Sequence, residues 1–350
     1  MERVAVALEA LDDREIASLL AAARTGQGIG GAHAVLELAD TRVFAKSIPL
    51  TDLERDAPRT TANLFDLPAV CHYGVGSPGI SAWREVAAHE LTTRWALEGE
   101  VPSVPLRHHA RLLPSLGHEI PSEHADVEAV VAFFGGDRSI ARRLQALATA
   151  SWSLVLFLEY VPWTVEGWLT RELGRGPEAA GAAIEMLERE LPIAMRAMND
   201  RGLVHFDGHL RNILTDGDAI YVSDFGLASS LDFDLSDAER HFLNEHRLHD
   251  PAYAIARLVN QVVTALSGAV DPDQPDYAAR NAYIRRCARG ADPGIELPAA
   301  AALVARYAPL ARAMNDFSWR LFEGTPFPPF PRDAVAAAWA DAGDPPTPPA

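Results

Sequence analysis

Gly202 to Ala228 reads GLVHFDGHLRNILTDGDAIYVSDFGLA. Asp207 is followed five residues later by Asn212, and the apolar run beyond it ends in Asp224-Phe225-Gly226. Asp216-Gly217 marks a tight turn between strands expected at 213–215 and 219–223. Asp and Asn are common turn residues, which accounts for Asp216 but not for an acid, an amide and an acid in this register. One carboxylate can accept or orient the proton of an attacking hydroxyl, while the amide and the second carboxylate can hold a metal that neutralises phosphates. The order therefore meets the requirements of phosphoryl transfer.

Immediately upstream, 178–200 has the spacing of a long amphipathic helix, with Ile184, Leu187, Leu191, Met195 and Met198 on one face and Pro192 as an expected kink. His205 is expected to pack and hydrogen-bond inside the loop, and Phe225 to pack. Downstream, LDFDLSDAE (231–239) is acidic and precedes helical sequence. His241, His246 and His249 invite a metal reading, but no cysteine or paired acid completes a ligand set, so they are read as ordinary helical histidines. The most apolar segment, 252–270, is interrupted by Arg257 and Asn260 and reads as a buried core helix rather than a membrane span. Alanine-rich helix follows, and the chain closes on a proline-rich tail, GDPPTPPA, expected to be disordered.

Toward the N-terminus, 11–24 reads as a helix opened by a capping box of Asp12 and Glu15. Gly26, Gly28, Gly30 and Gly31 then form a glycine-rich turn, followed by strands at 34–38 and 42–48 joined at Ala39-Asp40-Thr41. A plain flexible turn would carry the same glycines. Because a hairpin follows rather than a helix, the pattern disfavours a dinucleotide-binding fold and favours a flap that covers ATP phosphates with backbone N–H groups. Residues 49–81 read as an irregular insertion. A helix over 81–98 carries two possible partners for Lys46, Glu85 and Glu90, on different faces, so that only one can point at the lysine; a strand or two are expected near Leu112, and 125–150 is helical with a break at Gly135-Gly136. The run SLVLFLEY (153–160) is a buried strand.

The chain has 350 residues and nearly half are apolar, enough for two lobes with a sizeable core. A net charge of −17 argues against nucleic acid or an anionic membrane as the main partner. Two cysteines, Cys71 and Cys287, with no CxxC pair, and acidic residues where an export signal needs an apolar run, lead us to expect a cytoplasmic protein. Of the 31 lysine and arginine residues, all but Lys46 are arginine. A chain that writes arginine elsewhere and keeps one lysine suggests a position that needs a compact ammonium.

The ordered set of the Gly26–Gly31 turn, VFAK, HFDGHLRN and SDFGLA resembles the protein-kinase-like phosphotransferase superfamily, over roughly residues 20–265. The resemblance implies an α+β, bilobal fold: an N-lobe over 1–161 with a small antiparallel sheet, a larger, mainly helical C-lobe over 162–340, and the tail at 341–350. It implies ATP and Mg2+ as cofactors, with Asp207 as catalytic base or hydroxyl orienter, Asn212 and Asp224 as magnesium ligands, and Lys46, steadied by Glu85, on the phosphates. Gly26, Gly28, Gly30 and Gly31 would cover the nucleotide, and backbone groups of Glu159, Tyr160 and Val161 would bond the adenine, although a core strand ending in a loop would look the same. Asp250, in HDPAYAIARLV, resembles the aspartate that braces the catalytic loop.

Three departures bear on the acceptor. Phe206 precedes Asp207 where many regulated protein kinases carry arginine; His209 stands where small-molecule kinases often have histidine; and no APE motif follows Gly226. They favour a small-molecule hydroxyl over a protein, whereas the spelling SDFGLA leans toward a serine/threonine protein kinase. A nucleotide-binding pseudokinase scaffold is the third reading. The acidic Asp232, Asp234, Asp237 and Glu239 would suit a cationic acceptor, and Arg211 either offsets phosphoryl charge or forms a salt bridge on the loop.

Overall fold

The computed structural model describes residues 2–28, 31–115, 117, 120–271, 274, 276–323 and 327–343, with the backbone alone for 24–28 and 31. The chain is mixed α+β and falls into two compact units, one of Met1–Val161 with Asp224–His241, the other of Pro162–Ser223 with Phe242–Ala350. Asp224–His241, which the sequence reading grouped with the C-terminal lobe, thus belongs with the first unit.

The first unit opens with α1 (Glu2–Ala10), absent from the sequence reading, and α2 (Asp13–Ala23). The expected capping box is present: Glu15 donates its N–H to Asp12 Oδ1 at 2.9 Å, and Asp12 donates its own to Glu15 Oε2 at 2.8 Å. Strands β1 (Arg24–Gly28), β2 (Gly31–Leu38) and β3 (Thr41–Leu50) follow; then come α3 (Asp52–Asp56), α4 (Ala82–Leu97), β4 (Arg107–Pro114), α5 (Val127–Phe133), α6 (Arg138–Ala148) and β5 (Trp152–Glu159). The five strands form one antiparallel sheet in the order β1-β2-β3-β5-β4. Leu38 opposes Thr41, so Ala39 and Asp40 close a two-residue turn, both at positive φ (50° and 59°), the conformation that matches strand twist.

The apolar run of β5 is explained by burial on both faces. Val155 and Phe157 point to one side with Val43 and Ala45 of β3, where Val4 and Leu8 of α1 and Ile16 and Leu20 of α2 cover them. Leu154, Leu156 and Leu158 point to the other with Ile48, against Ala82, Trp83 and Val86 of α4. Each such fully buried side chain contributes roughly 1.5–3 kcal/mol. Within the insertion, Glu54 is wholly buried and joins three helices. It accepts from Thr51 and the Ala82 N–H and pairs with Arg143 at 2.8 Å. Those partners outweigh the upward push of burial and hold its pKa below the usual carboxylate range.

The second unit begins with β6 (Trp163–Thr164), α7 (Val165–Leu173), α8 (Pro177–Asn199), β7 (Leu203–Val204), β8 (Ile213–Thr215) and β9 (Ile220–Val222). After the short strand β10 (Ser229–Ser230) of the first unit, the second unit resumes at Phe242, within α9 (Asp237–Glu245), and continues with α10 (His249–Leu266), α11 (Tyr277–Cys287), α12 (Pro298–Phe322) and α13 (Arg332–Ala342). The expected face of α8, Ile184, Leu187, Leu191, Met195 and Met198, is buried, and the helix runs through Pro192. It packs with α10 and α12, which also exchange amide hydrogen bonds between Asn260 and Asn315 at 2.8 and 2.9 Å. The apolar 252–270 segment is largely α10, with Ile255, Leu258, Val259, Val262 and Val263 buried. Among the described residues no helix is long and apolar enough to cross a membrane. Strands β6, β8 and β9 form a small antiparallel sheet. Its β8–β9 turn is held by Asp216, whose Oδ1 accepts the N–H groups of Asp218 and Ala219. The tail from 344 onward lies outside the described residues.

Candidate functional site

In the first unit the alternation of β3 sets the geometry. Lys46 shares a face with Phe44 and Ile48, the face toward α4, because side chains of a strand alternate. Its ammonium lies 2.7 Å from Glu85 Oε1 and 2.7 Å from Asp224 Oδ1. Glu90, the other candidate partner, instead pairs with Arg107 at 3.2 Å. Lys46 and Glu85 are buried, whereas the Asp224 side chain is 44% exposed. Burial opposes the charged ammonium, but Asp224 and Glu85 outweigh it and hold the lysine pKa above its ordinary value. Glu85 is pushed up, first by burial and then by the second carboxylate beside it. One ammonium therefore serves two acids.

Asp224 sits in the left-handed region, φ 62°, and opens a short 3-10 turn, Phe225–Leu227. A non-glycine residue there is strained, a common mark of functional positions. Phe225 is fully buried and meets the His89 ring edge-on at 4.9 Å. At Gly226 a Cβ would come within 3.2 Å of Glu85 Oε2, so the residue is small where the turn approaches the carboxylate.

Of the glycine-rich turn, Gly26 and Gly28 lie in β1 and Gly31 opens β2, with Gly28 opposite Gly31; Gly30 lies outside the described residues. Glu159 ends β5 and donates its N–H to Leu106 O at 2.8 Å, so that donor is spent within the unit. Tyr160 lies under the Arg42 guanidinium at 5.1 Å, and Val161 closes this part of the unit.

In the second unit Asp250, fully buried at the start of α10, organises the loop that carries Asp207. It accepts the N–H groups of His205 and Phe206 at 2.6 and 2.9 Å, and the Asn199 amide at 2.8 Å. Burial would raise its pKa, but the bonds and charge of His249, with His205 and Asn199, hold it low. His205 packs as expected, with Nε2 on Ser223 O at 2.9 Å and Nδ1 accepting the Asp207 N–H at 3.2 Å. Asn212 donates through Nδ2 to Asp207 Oδ2 at 2.9 Å and to Asp207 O at 3.1 Å. His209 Nε2 lies 3.7 Å from Asp207 Oδ1. Ser223 is in turn tied to Asn212 O through its N–H and its hydroxyl, at 2.9 and 2.8 Å, and Asp224 is the next residue in the chain.

No protein-family model matches the chain, and no curated protein matches it. Any functional reading therefore stands on these residues and their chemistry.

Phe206 has φ 65°, is 2% exposed, and packs with Phe242 at 5.6 Å and with His246 and His249. The two histidines are thus members of an aromatic cluster that also includes Phe330. Among the described residues no group of three or more His, Cys, Asp or Glu is arranged to hold a metal. Arg211 forms a 2.6 Å bond with Glu166, the salt-bridge alternative of its two readings.

Three contacts of the segment after Gly226 were missed. His72 Nδ1 lies 2.7 Å from Leu227 O; Asp234 exchanges bonds with Thr61; and Glu239 accepts from Arg84 Nη2 at 2.7 Å. Glu239 is therefore not a free anion for a cationic acceptor, but half of a buried pair. Only the adjacency of Arg84 to Glu85 hinted at it, since the insertion carries no periodicity that predicts its contacts.

Proposed function

We propose that the protein is an ATP- and magnesium-dependent phosphotransferase of bilobal, protein-kinase-like fold that phosphorylates a hydroxyl, with a small-molecule acceptor favoured. The observation that carries the reading is the pairing of the only lysine in the chain with both Glu85 and Asp224 at 2.7 Å. A buried lysine steadied by one acid and directed at a second, part-exposed one is the arrangement that would present an ammonium to phosphates beside a metal-binding carboxylate.

The donor chemistry fits magnesium, which takes hard oxygen ligands and completes its shell with substrate phosphates rather than an all-protein cage. Asp224 offers a part-exposed carboxylate, and Asn212, whose Nδ2 is committed to Asp207, keeps its Oδ1 as an acceptor. Bound magnesium with ATP would supply the transferable phosphoryl group and neutralise its charge. Lys46 would contact the α- and β-phosphates, held in place by Glu85. Tyr160 and Val161 would supply the remaining backbone bonds to the adenine, and Gly26, Gly28, Gly30 and Gly31 the cover over the phosphates. Asp207, oriented by Asn212 and by the brace at Asp250, takes the proton of the acceptor hydroxyl as its oxygen bonds to phosphorus and the bond to the leaving ADP breaks.

Two features favour a small molecule. Phe206 fills an apolar cluster where an arginine would be needed to read a phosphorylated loop, and the segment after Gly226 is tied by Thr61, His72 and Arg84 without an APE sequence. The deciding experiment supplies γ-labelled ATP with a cell extract separated into metabolite and protein fractions. Label in metabolites is the expected result; label confined to protein identifies a protein kinase, and label in neither, with no ATP turnover, a pseudokinase.

A further inference from the structure

The face of α10 that braces the Asp207 loop continues along the helix. Asp250, Tyr253 and Arg257 lie at i, i+3 and i+7, and so share one side, with Arg257 about 10 Å beyond the brace at 1.5 Å per residue. Tyr253 stacks on His249 at 5.3 Å, and its hydroxyl is reached by the charges of both Asp207 and Arg257. The Arg257 guanidinium lies 5.8 Å from the Tyr253 ring centre. From α11, which packs against α10, Arg280 comes near enough to Arg257 for the two charges to repel. Arg280 lies over the Tyr277 ring at 5.0 Å, and its Nε is buried without a hydrogen-bond partner. Burial, and then the like charge of Arg257, bring the Arg280 pKa down to about 10.

Among the described residues no carboxylate pairs with either guanidinium. This is unusual in a chain of net charge −17, in which most other partly buried arginines have found an acid, among them Arg84, Arg107, Arg111 and Arg143. Two half-buried guanidiniums near enough to repel, with no paired carboxylate among the described residues, cost stability, and an oxyanion with fork-shaped acceptors would relieve that cost. We propose that Arg257 and Arg280 form an oxyanion-binding site beside Asp207, and that the acceptor is a hydroxyl compound bearing a phosphate or carboxylate group. The acceptor class rests on the phosphotransferase reading, whereas the oxyanion site itself does not. The site also replaces the cationic acceptor suggested by the acidic run, whose Glu239 is engaged with Arg84.

The test begins with calorimetric titration of the full chain by inorganic phosphate. The wild type should bind saturably, and Arg257→Gln and Arg280→Gln should each weaken binding by about ten- to a hundredfold, the loss expected of one charge-assisted contact. Without phosphate, Arg280→Gln should melt no lower than the wild type, because the repulsion is gone. Equal phosphate binding by wild type and variants, or a lower melting temperature for Arg280→Gln, would overturn the site. Transfer from labelled ATP to matched hydroxyl compounds, with and without an oxyanion group, separates the two claims. Transfer to oxyanion-bearing compounds alone, with KM raised and kcat little changed in Arg280→Gln, is expected. Equal transfer to neutral or cationic hydroxyls overturns the acceptor class and leaves the kinase reading intact. No ATP turnover by the wild type, with phosphate binding still lost in the variants, removes the kinase reading and leaves the oxyanion site standing.

Discussion

Asp250 Oδ2 accepts the backbone N–H of His205 at 2.6 Å, inside a unit where neither residue reaches water. A single carboxylate thereby fixes two successive peptide groups just ahead of Asp207, and it also receives the Asn199 amide. Asp250→Ala leaves these donors buried and unpaired, at roughly 1–3 kcal/mol each. The variant should lose at least about 3 kcal/mol in denaturant unfolding and, where it remains folded, its transfer rate should fall although Asp207 is intact. An unfolding midpoint within error of the wild type would show that the brace does not hold the loop.

The lone lysine makes a sharper case. Lys46→Arg keeps the charge but replaces a compact ammonium with a planar fork, which cannot meet Glu85 and Asp224 in the same space. Phosphotransfer should fall by about tenfold or more. Lys46→Met goes further, because it leaves Glu85 buried with no cation, and should cost roughly 3 kcal/mol in stability. Full activity in Lys46→Arg would remove the argument drawn from composition.

Asp207 tests the assignment of roles. Its carboxylate is oriented by Asn212 and is assigned to the acceptor hydroxyl rather than to ATP, so Asp207→Ala should abolish transfer while nucleotide affinity stays within about threefold of the wild type. Loss of nucleotide binding in this variant would mean that the residue holds ATP rather than the acceptor proton.

Much of the site was legible because its chemistry is local. Asp207 and Asn212 are five residues apart and do meet through the Asn212 amide; helix spacing put Glu85 and Glu90 on different faces, and the resemblance to kinase-like enzymes favoured Glu85, which does meet Lys46. The helix α1 was not foreseen, because the short apolar run of ERVAVALEA does not separate helix from strand by its period, and so the second apolar face of β5 that α1 helps to cover had no visible partner. The contacts of the insertion were illegible for a different reason. Thr61, His72 and Glu54 act through a few polar contacts, most of them across long sequence separations, and no period in the chain encodes them. Arg257 and Arg280 belong to the same class, because what distinguishes them is the acid they lack.

The buried pair of Arg84 and Glu239 ties α4 to the segment after Gly226 at 2.7 Å, with the Glu239 side chain 9% exposed. Burial would raise the Glu239 pKa, but Arg84 and the bonds from Ser236 outweigh it and keep the acid low. Glu239→Gln should cost roughly 3–5 kcal/mol, because Arg84 is left charged in the interior. Replacing both partners, Arg84→Met with Glu239→Leu, should restore much of that stability, since a buried pair is often matched by packed apolar groups. A double-mutant cycle measures the coupling, and a value near zero would show that the pair is incidental. Since Glu85 adjoins Arg84, the single variant should also slow transfer.

His72 links the same segment to pH. It is 2% exposed, and burial, then the nearby charge of Arg84, lower its pKa from 6.5 to about 4. The folded state therefore holds the ring neutral, with Nδ1–H donating to Leu227 O, while the unfolded chain binds a proton at higher pH. Because the folded value is depressed, the contribution is fully present above about pH 6.5 and is lost as pH falls through about 4. The shift corresponds to roughly 3 kcal/mol over that window. Melting temperatures measured from pH 7.5 to 4 should fall more steeply for the wild type than for His72→Asn, whose amide can donate to the same carbonyl but does not titrate. Parallel curves for the two proteins would show that another group sets the acid limit.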